Sequence, residues 1–425
     1  MIQILGHQIP FVVMLLCVLL LARMLGEIME RFNQPSMIGE VLAGIILGPT
    51  LLNLVNPSPE LKVISDLGVF LLVILAGMEI DIDELRRSMK GRNIWIALLG
   101  FLIPLLSGII IGLAFKLDIM LTVFLALCIS ITALPVSIRI LMDLGKLNTD
   151  IGQKIISAAI FNDIISLLIL GVILQFKGVS ANYTELSFKI LSSVAKVILF
   201  MAIMIVAYRL FHKAKDKVNI FNSKFQHFLS YLKGKESLFA IIMLFVLIFA
   251  SLSELVGLHF IIGAFFGAML LPREMLGDDN FTKVQQNTSS ITMGFLAPIF
   301  FASMGIEFNL LSITNIGLLV VVIVASFISK ILGGYLGGQM ARLSKPRSFT
   351  LGIGLNARGI IELVIANIAL QNKLIDIPLF SILVLMGVFT TVVTPFLLKR
   401  SFALIDKKEK EKTVEVEAVE LEVEA

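Results

Sequence analysis

Residues 70–82 read FLLVILAGMEIDI, and residues 298–310 read PIFFASMGIEFNL. The two align without a gap at an offset of 228, so that Gly77 meets Gly305, Glu79 meets Glu307 and Asp81 meets Asn309. A second pair agrees: Ile38–Gly44 (IGEVLAG) matches Ile262–Ala268 (IGAFFGA) at an offset of 224. Apolar segments resemble one another by composition alone, so a single match carries little. Two matches at nearly equal offsets, in the same order, mark an internal repeat.

Both copies sit in a very apolar chain. Of its 425 residues 57% are hydrophobic and 16% charged, against about 25% charged in an ordinary soluble domain. That excludes secreted, cytosolic-enzyme and nucleic-acid-binding readings. The apolar runs are continuous and longer than the roughly ten-residue alternating segments of a spanning barrel. The expected fold is therefore an all-α polytopic membrane protein. Thirteen candidate transmembrane helices follow, at roughly 8–25, 37–54, 62–79, 94–115, 119–141, 152–176, 187–210, 236–256, 258–271, 291–307, 314–341, 349–371 and 376–398. The first lacks the basic leader and small-residue cleavage site of a signal peptide and is read as a retained span. Cys17 and Cys128 both lie inside apolar runs, which leaves no disulfide framework or metal motif, and no cofactor is expected.

Basic residues set the orientation. The loops after the odd-numbered spans, with the C-terminus, hold 27 of the 35 Lys and Arg; the other loops hold 5. The N-terminus is expected outside and the C-terminus in the cytoplasm of a cell membrane. Spans 1–6 then echo spans 8–13 with span 7 as a linker. An odd linker inverts the second half, and inverted-topology repeats are a signature of secondary transporters. Residues 1–402 form the expected transmembrane unit. Residues 403–425, rich in Lys, Glu and Val, read as a charged, disordered cytoplasmic tail.

An ionisable residue at the bilayer centre costs roughly 2.5–3.5 kcal/mol on insertion scales, so each one asks for a use. Asp163 lies half-way along the sixth span, with Asn162 beside it, and Lys330 lies mid-way along the eleventh. Arg358 and Glu362 stand one turn apart in the twelfth, at a spacing that lets them pair. Glu40, near a span end, reads as facing water.

Two spans look broken. Thr132-Ala133-Leu134-Pro135 interrupts the fifth, since proline removes a donor and disfavours helix before it. Gly352, Gly354 and Gly359 surround Leu355-Asn356-Ala357-Arg358 in the twelfth, its repeat partner. Freed backbone at that depth is tolerated only when buried in protein or facing water, so two breaks at equivalent positions point to a binding site. Gly333, Gly334, Gly337 and Gly338 form small-xxx-small pairs beside Lys330 and predict a close helix neighbour.

QPSMIGEVLAGIILGPTLL (34–52), LAGMEIDIDELRR (75–87), FLAPIFFASMGIEFNL (295–310), SITALPVSIRILMDLGKLNTDIGQKIISAAIFNDIISLLIL (130–170), KILGGYLGG (330–338) and GLNARGIIELVIANIAL (354–370) together resemble the monovalent cation:proton antiporter-2 family, which includes Kef-type exchangers. The resemblance implies two crossed broken helices, a core that moves against a dimerisation domain, and hence a homodimer in the lipid bilayer. It implies that Asp163 binds cation and proton in turn, with Thr132 and the backbone at the break lining the site. Lys330 resembles a core lysine that in many members pairs with an acid next to the ion-binding aspartate. Here that neighbour is Asn162, so Lys330 must find another partner or lose its proton. The Asn-Asp pair is similar to that of electroneutral exchangers.

The expected function is exchange of Na⁺ or K⁺ for H⁺ by alternating access, with no enzyme activity. One carboxylate in a water-reachable midplane site holds a proton or a hard cation, not both. The alternative is a sodium-coupled organic anion symporter on the same repeat architecture.

Overall fold

The computed structural model describes residues 3–4, 7–8, 10–32, 34–82, 85, 90–176, 183–216, 235–271 and 276–424. Among these the regular structure is helical apart from a minimal antiparallel hairpin, β1 (Gln3–Ile4) and β2 (His7–Gln8). The helices are α1 (Phe11–Arg31), α2 (Ser36–Leu47), α3 (Pro59–Met78), α4 (Ile94–Ala114), α5 (Ile119–Ser130), α6 (Leu134–Asp143), α7 (Asp150–Ile173) and α8 (Tyr183–Asp216). They continue as α9 (Lys235–Val256), α10 (Phe260–Met269), α11 (Asp278–Ile291), α12 (Ala297–Glu307), α13 (Ile316–Met340), α14 (Lys345–Gly354), α15 (Ile360–Gln371) and α16 (Ile377–Glu424).

Among the described residues ten helical stretches are long and apolar enough to cross a membrane, and α2, α10 and α15 are shorter apolar helices. A helix of 12 residues reaches only ~18 Å, against a hydrocarbon core of about 30 Å. The short helices therefore depend on the chain at their ends to complete any crossing.

The chain forms two compact units, Met1–Ile82 with Ile165–Leu311, and Asp83–Ile164 with Ser312–Ala425. In the first, Ser58 caps α3 by accepting from Leu61 N at 3.2 Å, with Pro59 as first helical residue. The two matching segments both end their helices at the shared glutamate: Glu79 caps α3 and Glu307 closes α12. Their glycines pack in an interchanged manner. Gly305 of α12 lies against the Val41 carbonyl and Gly44 of α2, while Gly77 of α3 lies against the Phe265 carbonyl and Ala268 of α10. Val41 and Phe265, like Gly44 and Ala268, are partners at the 224 offset.

The α1–α2 contact in this unit corrects one expectation. Gly39 sits on the backbone of Leu25 and Gly26, which brings α1 and α2 together beside the next residue. Glu40 is buried, 3.9 Å from Arg23.

In the second unit α13 packs on α4 and α14 through its glycines. A Cβ at Gly333 would stand 2.6 Å from the Leu99 carbonyl, at Gly337 2.7 Å from the Trp95 carbonyl, and at Gly338 2.7 Å from Ser348 Oγ. Backbones thus meet where side chains are absent, and the Lys330 turn of α13 is held against α4. Lys146, in the loop before α7, donates to both oxygens of Asp406 at 2.7 and 2.8 Å. Helix α16 continues to Glu424, where the composition leads one to expect a tail without regular structure from 403. Lys and Glu are good helix formers, which lets an existing helix propagate through a charged segment.

Candidate ion-binding site

The site lies wholly in the second unit, at two interruptions. Helix α5 ends at Ser130 and α6 starts at Leu134, with Pro135 in its first turn, where a missing N–H costs nothing. Helix α14 ends at Gly354 and α15 starts at Ile360. The two gaps bond to each other: Ala133 N donates to the Ala357 carbonyl at 2.8 Å, and Thr132 Oγ1 donates to the Leu355 carbonyl at 3.0 Å.

A helix end leaves its last four carbonyls without intrahelical partners. In α5 those of Leu127, Cys128, Ile129 and Ser130 are all taken by side chains. Ser130 Oγ donates to Leu127 O at 2.7 Å, Arg358 donates through Nη1 to Cys128 O and through Nη2 to Ile129 O at 2.5 Å, and Lys330 Nζ donates to Ser130 O at 2.5 Å. Two cations thus sit at the negative end of the helix dipole. The end of α14 is closed by neutral groups instead: Asn356 N bonds Ile353 O at 3.0 Å and Asn356 Nδ2 bonds Gly352 O at 3.2 Å.

Lys330 has three donors, and all three are used: on Ser130 O, on Gly100 O at 3.1 Å and on Thr132 Oγ1 at 2.8 Å. Where the sequence has Asn162 in place of an acid, these three bonds go to two backbone carbonyls and a hydroxyl. Thr132 is equally full. Its hydroxyl donates to Leu355 O and accepts from Lys330 and, at 3.1 Å, from Asn162 Nδ2. One donor and two lone pairs exhaust a hydroxyl, so in this conformation Thr132 Oγ1 has no lone pair for an ion.

Asp163 follows Asn162 on α7, is 1% exposed, and lies within electrostatic reach of Lys330. At the interruptions and along α7, Asn162 Oδ1, Asn356 Oδ1 and Ser166 Oγ are buried and accept no hydrogen bond. Carboxylate, carbonyl and amide oxygens are the donors that hard cations prefer. Arg358 and Glu362 stand 3.7 Å apart, both fully buried, and Thr391 Oγ1 donates to Arg358 O at 2.9 Å.

The structure thus joins Thr132, Asn162 and Lys330 through one hydroxyl, and ties Arg358 to α5 rather than to Glu362 alone. Sequence reading missed Ser130, Thr391 and every carbonyl that holds the two cations. A serine one residue before a break is a readable cap signal. A carbonyl leaves no mark in a sequence.

Residues 11–403 match the family described as "Sodium/hydrogen exchanger, transmembrane". The chain belongs to that family. As an exchanger it is 28% identical over 402 residues to the Na⁺/H⁺-K⁺ antiporter GerN of Bacillus cereus, covering 94% of this chain and 98% of GerN. It is 28% identical to a Na⁺/H⁺ antiporter of Enterococcus hirae, covering 91% and 96% of the two chains. Its fold resembles that of the sodium proton antiporter MjNhaP1 of Methanocaldococcus jannaschii, with a TM-score of 0.68 at 18% identity over 92% and 96% of the chains. The exchanger family consists of antiporters rather than enzymes, and the organic anion symporter reading finds no support in it.

Proposed function

We propose that this chain exchanges a monovalent cation, Na⁺ and/or K⁺, for protons by alternating access, with Asp163 binding the two in turn. The observation that carries the reading is the state of the site around it. Lys330, Arg358 and Thr132 are each saturated by structural bonds. Of the two buried carboxyls described in this unit, Glu362 stands 3.7 Å from Arg358, and Asp163, next to Asn162 on α7, is the one whose charge a cation or a proton from water neutralises. A cation and a proton compete for it, and competition plus alternating access gives exchange. Both loads carry one positive charge, so the exchange is one for one and electroneutral. The names of the Bacillus and Enterococcus relatives favour Na⁺, with K⁺ as a second substrate in GerN.

The same reading includes thirteen crossings, with the chain around α2, α10 and α15 completing those the ten long helices leave, and inverted repeats of six spans each side of α8. The interchanged glycine contacts of α12 on α2 and α3 on α10 support the repeat. The basic-loop asymmetry supports an outside N-terminus and a cytoplasmic C-terminus, with residues 403–425 as a cytoplasmic extension. The family resemblance supports a homodimer in the bilayer.

The test is exchange by the purified chain in proteoliposomes, read by an entrapped pH dye while Li⁺, Na⁺, K⁺ or Rb⁺ is added outside. Alkalinisation or acidification of the lumen that follows the cation gradient supports the proposal. A lumen pH that stays unmoved by every cation overturns it.

A further inference from the structure

The two interruptions bond to each other in the second unit, and the same unit also ties their outer ends. Helix α6 runs from the crossing to a turn at 144–149, after which α7 begins. That turn is closed on both sides. Lys146 N donates to Leu141 O of α6 at 2.8 Å, and Lys146 O accepts from Thr149 N at 3.2 Å and from Thr149 Oγ1 at 2.6 Å. Thr149 Oγ1 accepts in turn from Gly152 N of α7 at 3.1 Å. Whatever holds Lys146 therefore holds the end of α6 and the start of α7 together.

Helix α16 supplies the hold. Its residues Leu398, Ser401, Phe402 and Ile405 are buried, at the three- and four-residue spacing of one helix face. Ser401 Oγ and Thr350 Oγ1 of α14 share a hydrogen bond, and α14 leads into the other interruption. One turn beyond Phe402, Asp406 accepts two bonds from Lys146 Nζ, at 2.7 and 2.8 Å. The same ammonium lies 5.5 Å from the centre of the Phe402 ring, within the range of a cation–π contact. The 401–406 stretch of α16 thus fastens both the α6–α7 turn and α14, the half-helices that reach the crossing.

Stability alone gives this pair little purpose. Its side chains are 23% and 45% exposed, and ion pairs open to water contribute little to folding. Placement gives it more. A site whose groups are held before the ligand arrives binds more tightly, because less freedom is lost on binding.

We propose that Lys146 and Asp406 are positioning residues for the exchange: their bond holds the α6–α7 turn on α16 and so keeps the crossing, and Asp163 on α7, in the arrangement that takes up a cation. The inference rests on the function proposed above. Neither residue touches the ion, since Asp163 stands ~20 Å along α7 from Asp150. A nearby pair provides the control. Lys154 donates to Asp150, but both lie in the first turns of α7, so that pair fastens no element to another.

The experiment measures Na⁺-dependent exchange in proteoliposomes at fixed pH for Asp406→Asn, Lys146→Gln, the double variant and Asp150→Asn, with unfolding midpoints taken in detergent. Wild-type exchange in the same vesicles is the separate check on the function reading. Each single variant at the fastening is expected to raise the KM for Na⁺ three- to tenfold, with kcat within twofold of the wild type and the midpoint within a few degrees. The double variant should raise KM no further than either single one, because both lose the same bond. Asp150→Asn should leave KM unchanged. An unchanged KM in both single variants overturns the proposal, as does a double variant whose KM rises by the product of the two, or an Asp150→Asn that raises KM equally. If one single variant fails to fold, the other is judged by the same KM criterion; loss of folding in both overturns the proposal in favour of a purely structural contact.

Discussion

Lys330 donates to the carbonyl of Ser130 at 2.5 Å, across 200 residues of sequence, and this bond closes the end of α5. The two residues lie on different helices, α13 and α5, and their contact gives a lysine in an apolar helix a structural use. An ammonium at a helix C-terminus meets both the orphaned carbonyl and the negative end of the dipole.

Replacement of Lys330 by methionine should therefore act first on stability. It leaves the carbonyls of Ser130 and Gly100 buried without donors, at about 1–3 kcal/mol for each orphaned group. Thermal unfolding in detergent, followed by size-exclusion, should show a large drop in the midpoint. A variant as stable as the wild type would remove the capping role.

Thr132 should separate hydroxyl from shape. Thr132→Ser keeps the oxygen that Lys330 and Asn162 share and should retain most exchange activity. Thr132→Val keeps the volume and strands three partners, and should lose exchange at least tenfold. Similar rates for the two variants in proteoliposomes would contradict the saturated-hydroxyl geometry.

The glycines of α13 predict a graded series. Gly333→Ala and Gly337→Ala each drive a Cβ to within 2.7 Å of α4 backbone carbonyls, whereas a Cβ at Gly294 meets nothing within 4 Å. The first two should lower the unfolding midpoint by several degrees, and Gly294→Ala should not. A destabilised Gly294→Ala beside a neutral Gly333→Ala would reverse the expected order.

Orientation is open to a direct check. A cysteine at Ser223, in a background lacking Cys17, should react with an impermeant maleimide only after the membrane is opened. That loop and its flank carry seven of the 27 basic residues assigned to the inside, although residues 217–234 lie outside the described residues. Labelling in intact cells would overturn the assigned topology.

Much of this was legible in advance for identifiable reasons. Pro135 and the Gly352–Gly359 cluster are backbone constraints written into side-chain identity, so both interruptions could be read from residues alone. Gly77 and Gly305 announced themselves through the repeat. The rest was hidden because it depends on carbonyls. Nothing in the sequence says that Arg358 turns to Cys128 and Ile129 when Glu362 stands one turn away, or that Lys330 is satisfied by Ser130 and Gly100 once residue 162 is asparagine. Glu40 was misread because its burial comes from the Gly39–Leu25 contact between helices, and not from its place along the span.

The central claim is that Asp163 alone carries the exchanged charge. The measurement that tests it most directly is cation-driven pH change in proteoliposomes containing Asp163→Asn, beside wild-type vesicles of equal protein content and with the variant's folded state verified by size-exclusion. The account predicts a folded protein whose vesicles show no cation-driven pH change above that of protein-free liposomes. Exchange at more than half the wild-type rate would contradict it and move the proton to another group.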